Sequence, residues 1–475
     1  MIAATRRREA TRGSIGILPV LLARCPTALL ALVLASGMVF AAEPGSPDER
    51  FVVIQAGRII TNAGKEIRDG VIVLSGGKIR NVGTGIEYPV NAKVIDARDR
   101  VVMPGLINPS TRFGLPGYQR TEVHGNWSVA DEYFPLAEGG VGVSPADILD
   151  AGYTALALVP AGVGIPGRAM VVRTAGPADQ RTLVSPAYLR VTPDKRVFRG
   201  ALERAQQEID KVEKARQEFE KKQQGQKPPT QPATQPATQP AAAGTQPATQ
   251  PATQPAFQPP PIDPAHQVLV DLIQKKPDLF ALLELNDASD YVQMSEVLKK
   301  FDIAHHFLAR NGWESDLNYV VAKLGEEKAR IILQPVISRV PASAERIHLV
   351  RLFAQAGCEV SLMPLDDSAR EHQRMLGRVA NLVREGWSRE EALKAVTLHP
   401  ARLLGLDKRL GSIEKDKEAD LIFLDGDPLD PRARVREVMI LGEIVHRVDD
   451  VGQVESGVGQ VESARPAGSV EVPER

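Results

Sequence analysis

The sequence predicts an α/β protein: a (β/α)8 TIM-like barrel joined to a small β-sandwich built from both terminal segments. Three observations lead there. Short β-branched apolar runs with Gly-containing turns occupy both ends of the chain, as in Val71-Ile72-Val73-Leu74 followed by Ser75-Gly76-Gly77-Lys78. Between them, apolar strands alternate with helical stretches, the pattern of a parallel sheet. The central region 101–408, with an insert at 197–266 set aside, comes close to the ~250 residues typical of such a barrel.

Taken in order, the sandwich segments are 51–100 and 409–448. The first holds Phe51 to Ala56, Val71 to Leu74 and Val94 to Ala97, and the second Ala419 to Leu424, Val435 to Ile440 and Ile444-Val445. Barrel strands are expected at Val101–Ile107, Tyr153–Val159, Phe280–Leu285, Ile303–Leu308, Ile331–Val336 and Glu359–Met363, with the third and fourth strands between about 168 and 196. The insert opens with a charged helix at 201–224, which carries a thin apolar stripe of Ile209, Val212 and Phe219. A Thr-Gln-Pro-Ala repeat follows, to Ala256. Its prolines hold the chain extended and remove backbone donors, so it reads as a disordered linker. The tail 449–475 repeats Val-Gly-Gln-Val-Glu-Ser and is also expected to be disordered.

The N-terminus reads as a processing segment rather than fold. Arg6, Arg7, Arg8, Arg12 and Arg24 precede an apolar run from Thr27 to Phe40, and Val39-Phe40-Ala41 fits a small-x-small cleavage site. Residues 1–41 are therefore expected to be a signal peptide, which implies a periplasmic or secreted protein with no stable membrane span after cleavage. Arg6-Arg7 hints at twin-arginine export, although Glu9 and Ala10 follow where apolar residues are usual. Charges nearly cancel, with 58 basic and 59 acidic residues, and aromatics make up 5%. Neither fits a nucleic-acid surface. Of two cysteines, Cys25 leaves with the leader. Cys358 is then alone, so neither an intrachain disulfide nor a Cys-based zinc site can form.

Two motifs identify a family. One is Val101-Val102-Met103-Pro104-Gly105-Leu106-Ile107-Asn108. The other runs from Trp387 through Glu390-Glu391-Ala392-Leu393, Thr397-Leu398-His399-Pro400-Ala401 and Leu410-Gly411-Ser412-Ile413 to Ala419-Asp420-Leu421-Ile422 and Asp427-Pro428. Both resemble the amidohydrolase superfamily. A looser stretch, Ala151 to Gly162, is similar to its imidazolonepropionase-like branch. The resemblance covers about 51–190 and 268–448. It implies metal-dependent hydrolysis of non-peptide C–N bonds in small molecules, by water activated on a divalent metal such as zinc. It also implies a His-x-His pair after the first barrel strand, histidines after strands five and six, and an Asp after strand eight.

Here the expected positions differ. After Ile107 the chain reads Asn108-Pro109-Ser110-Thr111-Arg112, with no histidine, and a guanidinium does not deprotonate to become a ligand. Glu284-Leu285-Asn286-Asp287 follows strand five, Arg310-Asn311-Gly312 strand six, and Pro364-Leu365-Asp366-Asp367 strand eight. None of the eight histidines forms His-x-His or His-Glu-x-x-His. His305-His306 lie adjacent in strand six, His124 sits in a loop, and His266, His348, His372, His399 and His446 are scattered. No cofactor is expected, and zinc only if the site has been relocated.

The barrel-mouth candidates are Arg112, Glu284, Asp287, Asp366 and Asp367. In one reading Arg112 fills the space of the absent metal and pairs with an acid such as Glu284. In another the cluster binds a small polar molecule. The functional expectation is an exported, catalytically degenerate protein that acts by binding. The alternatives are an active C–N hydrolase with a divergent or relocated site, and a scaffold that uses the long insert. A homodimer would be in keeping with the proteins it resembles.

Overall fold

A computed structural model describes residues 50–115, 123, 125–130, 146–225 and 256–448. The leader, His124, most of the Pro-rich repeat and the tail lie outside the described residues. The elements in chain order are β1 Phe51–Ile59, β2 Ile67–Ser75, β3 Lys78–Gly83, β4 Lys93–Pro104, β5 Leu106–Thr111, α1 Ala146–Asp150, β6 Tyr153–Leu158, β7 Gly167–Arg168, β8 Met170–Arg173, β9 Thr182–Val184 and β10 Leu189–Val191. Helices α2 Lys195–Gly225 and α3 Pro264–Ile273 follow, then β11 Ala281–Leu285, α4 Ala288–Lys300, β12 His305–Ala309, α5 Val321–Glu326, β13 Arg330–Leu333, β14 Ser338–Arg339 and β15 Arg346–Ile347. The chain ends with α6 Leu349–Gln355, β16 Glu359–Leu362, α7 Ala369–Gln373, α8 Met375–Arg384, α9 Arg389–Lys394, α10 Leu398–Leu403, β17 Leu421–Leu424, β18 Val435–Ile440 and β19 Glu443–Arg447.

Both terminal segments enter one seven-stranded sheet, ordered β19-β18-β17-β4-β1-β2-β3. The sequence expectation was a two-layer sandwich; strand pairing among the described residues gives a single sheet. Its apolar face buries Ile54, Ile59, Ile72, Leu74, Val102, Phe423 and Met439 together. β4 pairs with β17 along its C-terminal half, Val101 opposite Leu424 and Pro104 opposite Leu421. The chain then crosses into the second layer of the fold at Gly105. A Cβ there would lie 2.2 Å from the Thr154 side chain, so the Pro-Gly of the first motif is set by a close strand approach.

The rest is TIM-barrel-like. β10, β11, β12, β13 and β16 form a parallel run, and β5 pairs parallel with β6. The segment Gly167–Arg173 joins these two sheets and runs antiparallel to both: β7 pairs with β10, and β8 with β6. This segment therefore runs opposite to a uniform (β/α)8 pattern. No ladder joins β16 to β5 among the described residues. Instead Leu362 N–H donates to Ala395 O (2.9 Å) and Ile107 N–H to Val396 O (3.0 Å), so the residues before α10 fill the seam.

Alternation along the strands separates two faces. Leu283, Phe307, Ile331 and Val360 pack with helix residues such as Leu202, Leu349 and Phe353. Ala155, Ala157, Tyr188, Leu282, Leu308, Ile332 and Met363 pack together on the interior. Helix α2 starts before the expected insert boundary. Its first turns, with Phe198, Ala201, Leu202, Ala205 and Ile209, are buried in the main core at helical spacing. Cys358 is buried, as a small core residue would be. No helix among the described residues is long and apolar enough to cross a membrane.

Candidate functional site

The C-terminal ends of the barrel strands are where such folds carry chemistry. Glu284 lies at that end of β11. It shares the interior face with Leu282, while Leu283 and Leu285 pack toward the helices. It is 5% exposed. Arg190 on the neighbouring β10 shares the interior face with Tyr188 and donates from Nε to Glu284 Oε1 at 2.8 Å. Its Nη1 donates to Pro160 O, in the loop after β6. Arg310, just past β12, brings Nη2 to 3.8 Å from the same Glu284 oxygen and is nearly half exposed. Two guanidiniums therefore flank one buried carboxylate at the strand ends.

Below this cluster, Tyr188 donates its hydroxyl to Pro109 O at 2.8 Å. Burial pushes its phenol far above the ordinary range. Around the rim, side chains tie successive strand ends together. Asp367 accepts from Thr111 Oγ1 (2.6 Å) and from the Arg112 main-chain N–H (2.8 Å), joining the loop after β16 to the end of β5. Gln334 donates to Leu365 O (2.9 Å), and its own N–H donates to Asn311 Oδ1 (2.7 Å). The loops after β16, β13 and β12 are thus linked in turn. Asn311, in the region where a histidine was expected, is 0% exposed and spent on these tethers.

The five candidates therefore separate. Arg112 and Asp367 meet, but through the Arg112 backbone. The pairing expected between Arg112 and Glu284 is corrected: Glu284 takes Arg190 and Arg310. Asp287 does not join the mouth cluster. It is the N-cap of α4, accepting from Asp290 N (2.9 Å) and Ser289 Oγ (2.7 Å), and these bonds lower its pKa. Asp366 likewise accepts from Ser368 N at 2.8 Å, and its bonds to Ser368 hold its carboxyl below the usual range.

Six of the described histidines bond or pack within the fold. His372 shares Nδ1 with Ser368 O (2.8 Å) and Nε2 with the Asn108 amide (3.0 Å). A carbonyl only accepts, so the proton is assigned to Nδ1 and the ring is neutral; burial lowers its pKa accordingly. His348 caps α6, accepting from Arg351 N. His399 bonds Val360 O at 2.9 Å, and His446 bonds Asp150 at 2.7 Å. His305 and His306 begin β12, at the end of the strand opposite the mouth. His306 packs on Phe280, ring centres 4.7 Å apart, and burial pushes its pKa down to about 4. Among the described residues, no three His, Cys, Asp or Glu side chains converge as a metal ion requires. The neighbours of Glu284 are guanidiniums, which have no lone pair to donate. This donor set does not fit a divalent metal.

Sequence reasoning missed Arg190. The signal was a lone cation within the apolar run Ala187-Tyr188-Leu189-Arg190-Val191, in the stretch where strands three and four were poorly placed.

The chain is similar to known proteins in part of its sequence and in its fold. The amidohydrolase family profile matches residues 321–445. N-acetylglucosamine-6-phosphate deacetylase of Bos taurus is 39% identical over 90 residues, 19% of this chain and 19% of that protein. Dihydroorotase of Mycobacterium leprae (strain TN) is 41% identical over 51 residues, 11% of this chain and 12% of that protein. The matched stretches thus span at most about a fifth of these curated relatives. The crystal structure of an amidohydrolase from Thermotoga maritima MSB8 superposes with a TM-score of 0.61 at 21% identity, covering 84% of this chain and 100% of that one, and supports the fold. The family profile across the C-terminal signature and the similarity to these relatives support a place in the amidohydrolase superfamily, and the superposed structure supports the fold.

Proposed function

We propose that this is an exported, catalytically degenerate member of the superfamily, which acts by binding a small polar molecule rather than by hydrolysing C–N bonds. The observation that carries the reading is the Arg190–Glu284–Arg310 cluster. It puts two permanent cations beside a buried carboxylate at the strand ends where the family's chemistry calls for metal ligands. Ser110 and Arg112 stand in the His-x-His positions and add to the case. A cation brought to this centre would meet guanidiniums at contact distance, and a hydroxide nucleophile would have no Lewis acid to form on. The remaining polar groups of the rim hold strand ends together, as Asp367, Gln334 and Asn311 do.

The test is turnover. The purified chain, with zinc added, is assayed on N-acetylglucosamine 6-phosphate and on dihydroorotate, the compounds named by its relatives. No release above the uncatalysed rate is expected. Chelator-sensitive turnover that disappears in Glu284→Gln would overturn the reading. Export is tested separately: the mature protein from the periplasm or medium is expected to begin at Ala42 or Glu43, and an intact leader on the recovered protein would contradict it.

A further inference from the structure

Beside the mouth, the loops after β12 and β13, the β14–β15 ribbon and the helix α8 line an open pocket of about 450 Å³. That lies within the ~300–1,000 Å³ range of small-molecule sites. Its lining includes Trp313, Ser338, Arg339, Arg346, Arg378 and Asn381. Three features of this lining are costly for a surface with no ligand. Trp313 is 69% exposed, an aromatic face left in water. Arg339 and Arg346 are direct cross-strand partners in the short β14–β15 ribbon, where like charges opposite each other destabilise the pair. Arg346 is offset only by an exposed contact to Glu385 at 3.4 Å, a kind of pair that contributes little.

The same lining is held in place. Arg339 N–H donates to Trp313 O at 2.7 Å, so the Trp313 main chain is tied to the arginine ribbon. The Ser338 hydroxyl donates to Asn311 O and Gly312 O, anchoring the ribbon to the end of β12. The buried Glu371 holds Arg378 through its Nε and Nη2 (2.8 and 2.7 Å), which leaves the other edge of the guanidinium for a second partner. Among the described lining side chains, Glu314 is the one acid against three arginines.

We infer that this cavity binds a small organic anion with an aromatic body. Its carboxylate or phosphate group would lie between Arg339, Arg346 and Arg378, and its ring against Trp313. Guanidinium forks match both kinds of head group, and a planar ring covers the exposed indole. A bound anion would also relieve the repulsion between Arg339 and Arg346. This inference rests on the binding reading above and gives that reading a ligand class. It can fail while the centre still lacks metal and turnover.

The test is calorimetric titration of the full chain with phenyl phosphate and benzoate, against inorganic phosphate and benzyl alcohol. At least one aryl anion is expected to bind saturably and about tenfold or more tighter than both inorganic phosphate and benzyl alcohol. The identity of that probe separates a phosphate head group from a carboxylate one. Arg339→Gln and Arg346→Gln are expected to weaken binding about tenfold each without lowering the melting temperature, because both side chains are exposed. Trp313→Leu is expected to remove the advantage of the aryl anion over inorganic phosphate. Equal binding of benzyl alcohol, affinity unchanged in the arginine variants, or no saturable binding at millimolar concentration would each overturn the inference.

Discussion

Replacing Arg190 by Met removes the closest partner of a carboxylate that is 5% exposed. Breaking a buried ion pair from one side costs about 3–5 kcal/mol, because the other charge is stranded. Two details of the structure set the figure within that range. Arg310 stays 3.8 Å from Glu284 and is nearly half exposed, so it compensates in part. The bond from Arg190 Nη1 to Pro160 O is lost as well. The first lowers the cost and the second raises it, so the expected loss is at least about 3 kcal/mol. In a chain of this size that corresponds to a fall of about 5 °C or more in melting temperature. Glu284→Leu alone should lose a similar amount, since it strands Arg190. The double variant Arg190→Met/Glu284→Leu should recover most of the loss, as an apolar pair replaces an ionic one of similar volume. Scanning fluorimetry of the four proteins closes the double-mutant cycle. Arg112→Met leaves the Glu284 pair intact and should shift melting by less than Arg190→Met does. A single Arg190→Met variant within about 1 °C of wild type, or a double variant as unstable as the sum of the singles, would refute the reasoning.

Arg173 is fully buried and ion-pairs with Asp420 at 3.1 Å and with Glu418, tying β8 to the start of β17. Arg173→Met should cost about 3–5 kcal/mol, read from urea denaturation, and Asp420→Asn in the same chain should restore part of it. Asp367→Ala removes the acceptor for Thr111 Oγ1 and Arg112 N and should cost about 2–3 kcal/mol, more than Thr111→Val, which removes one of these bonds. His306 is held at about 4, against an ordinary value of 6.5, first by burial and then by Arg330 and His305. The unfolded chain takes up the proton first, so this contribution is intact above pH ~6.5, is lost as pH falls toward ~4, and reaches at most about 3 kcal/mol. Unfolding free energy measured across that window should fall less steeply in His306→Phe than in wild type; identical slopes would contradict it.

The parts of the fold legible in the sequence were those with long motifs. Pro104-Gly105 marked the crossing from the terminal sheet to β5, where Thr154 leaves no room for a Cβ. The run from Trp387 to Asp427 marked α9, α10 and β17. Strand direction was not legible. Gly167–Arg173 is apolar enough for a barrel strand, and nothing in its side chains records that it pairs antiparallel on both sides. The pairing of Glu284 was misread because Arg112 stands in a recognisable motif and Arg190 does not. Tertiary register across β10 and β11, with Arg190 opposite Leu282, brings the guanidinium beside Glu284. The roles of Asp287 and Asp366 were open to a local reading, since an acid just before a helix caps its free N–H groups, as Asp287 does, and an acid two residues before a main-chain N–H can bond it in a turn, as Asp366 does with Ser368. The cavity beside the mouth was out of reach, because Trp313, Arg346 and Arg378 lie on separate segments that meet only in the fold.

The claim that a carboxylate clasped by arginines stands where a metal would be is tested most directly by metal analysis of the purified protein. The chain is produced with excess zinc, desalted, and measured by inductively coupled plasma mass spectrometry. The Arg190–Glu284–Arg310 centre predicts metal far below one equivalent per chain and a melting temperature unchanged by zinc or chelator. One tightly held equivalent, whose removal lowers the melting temperature, would contradict it.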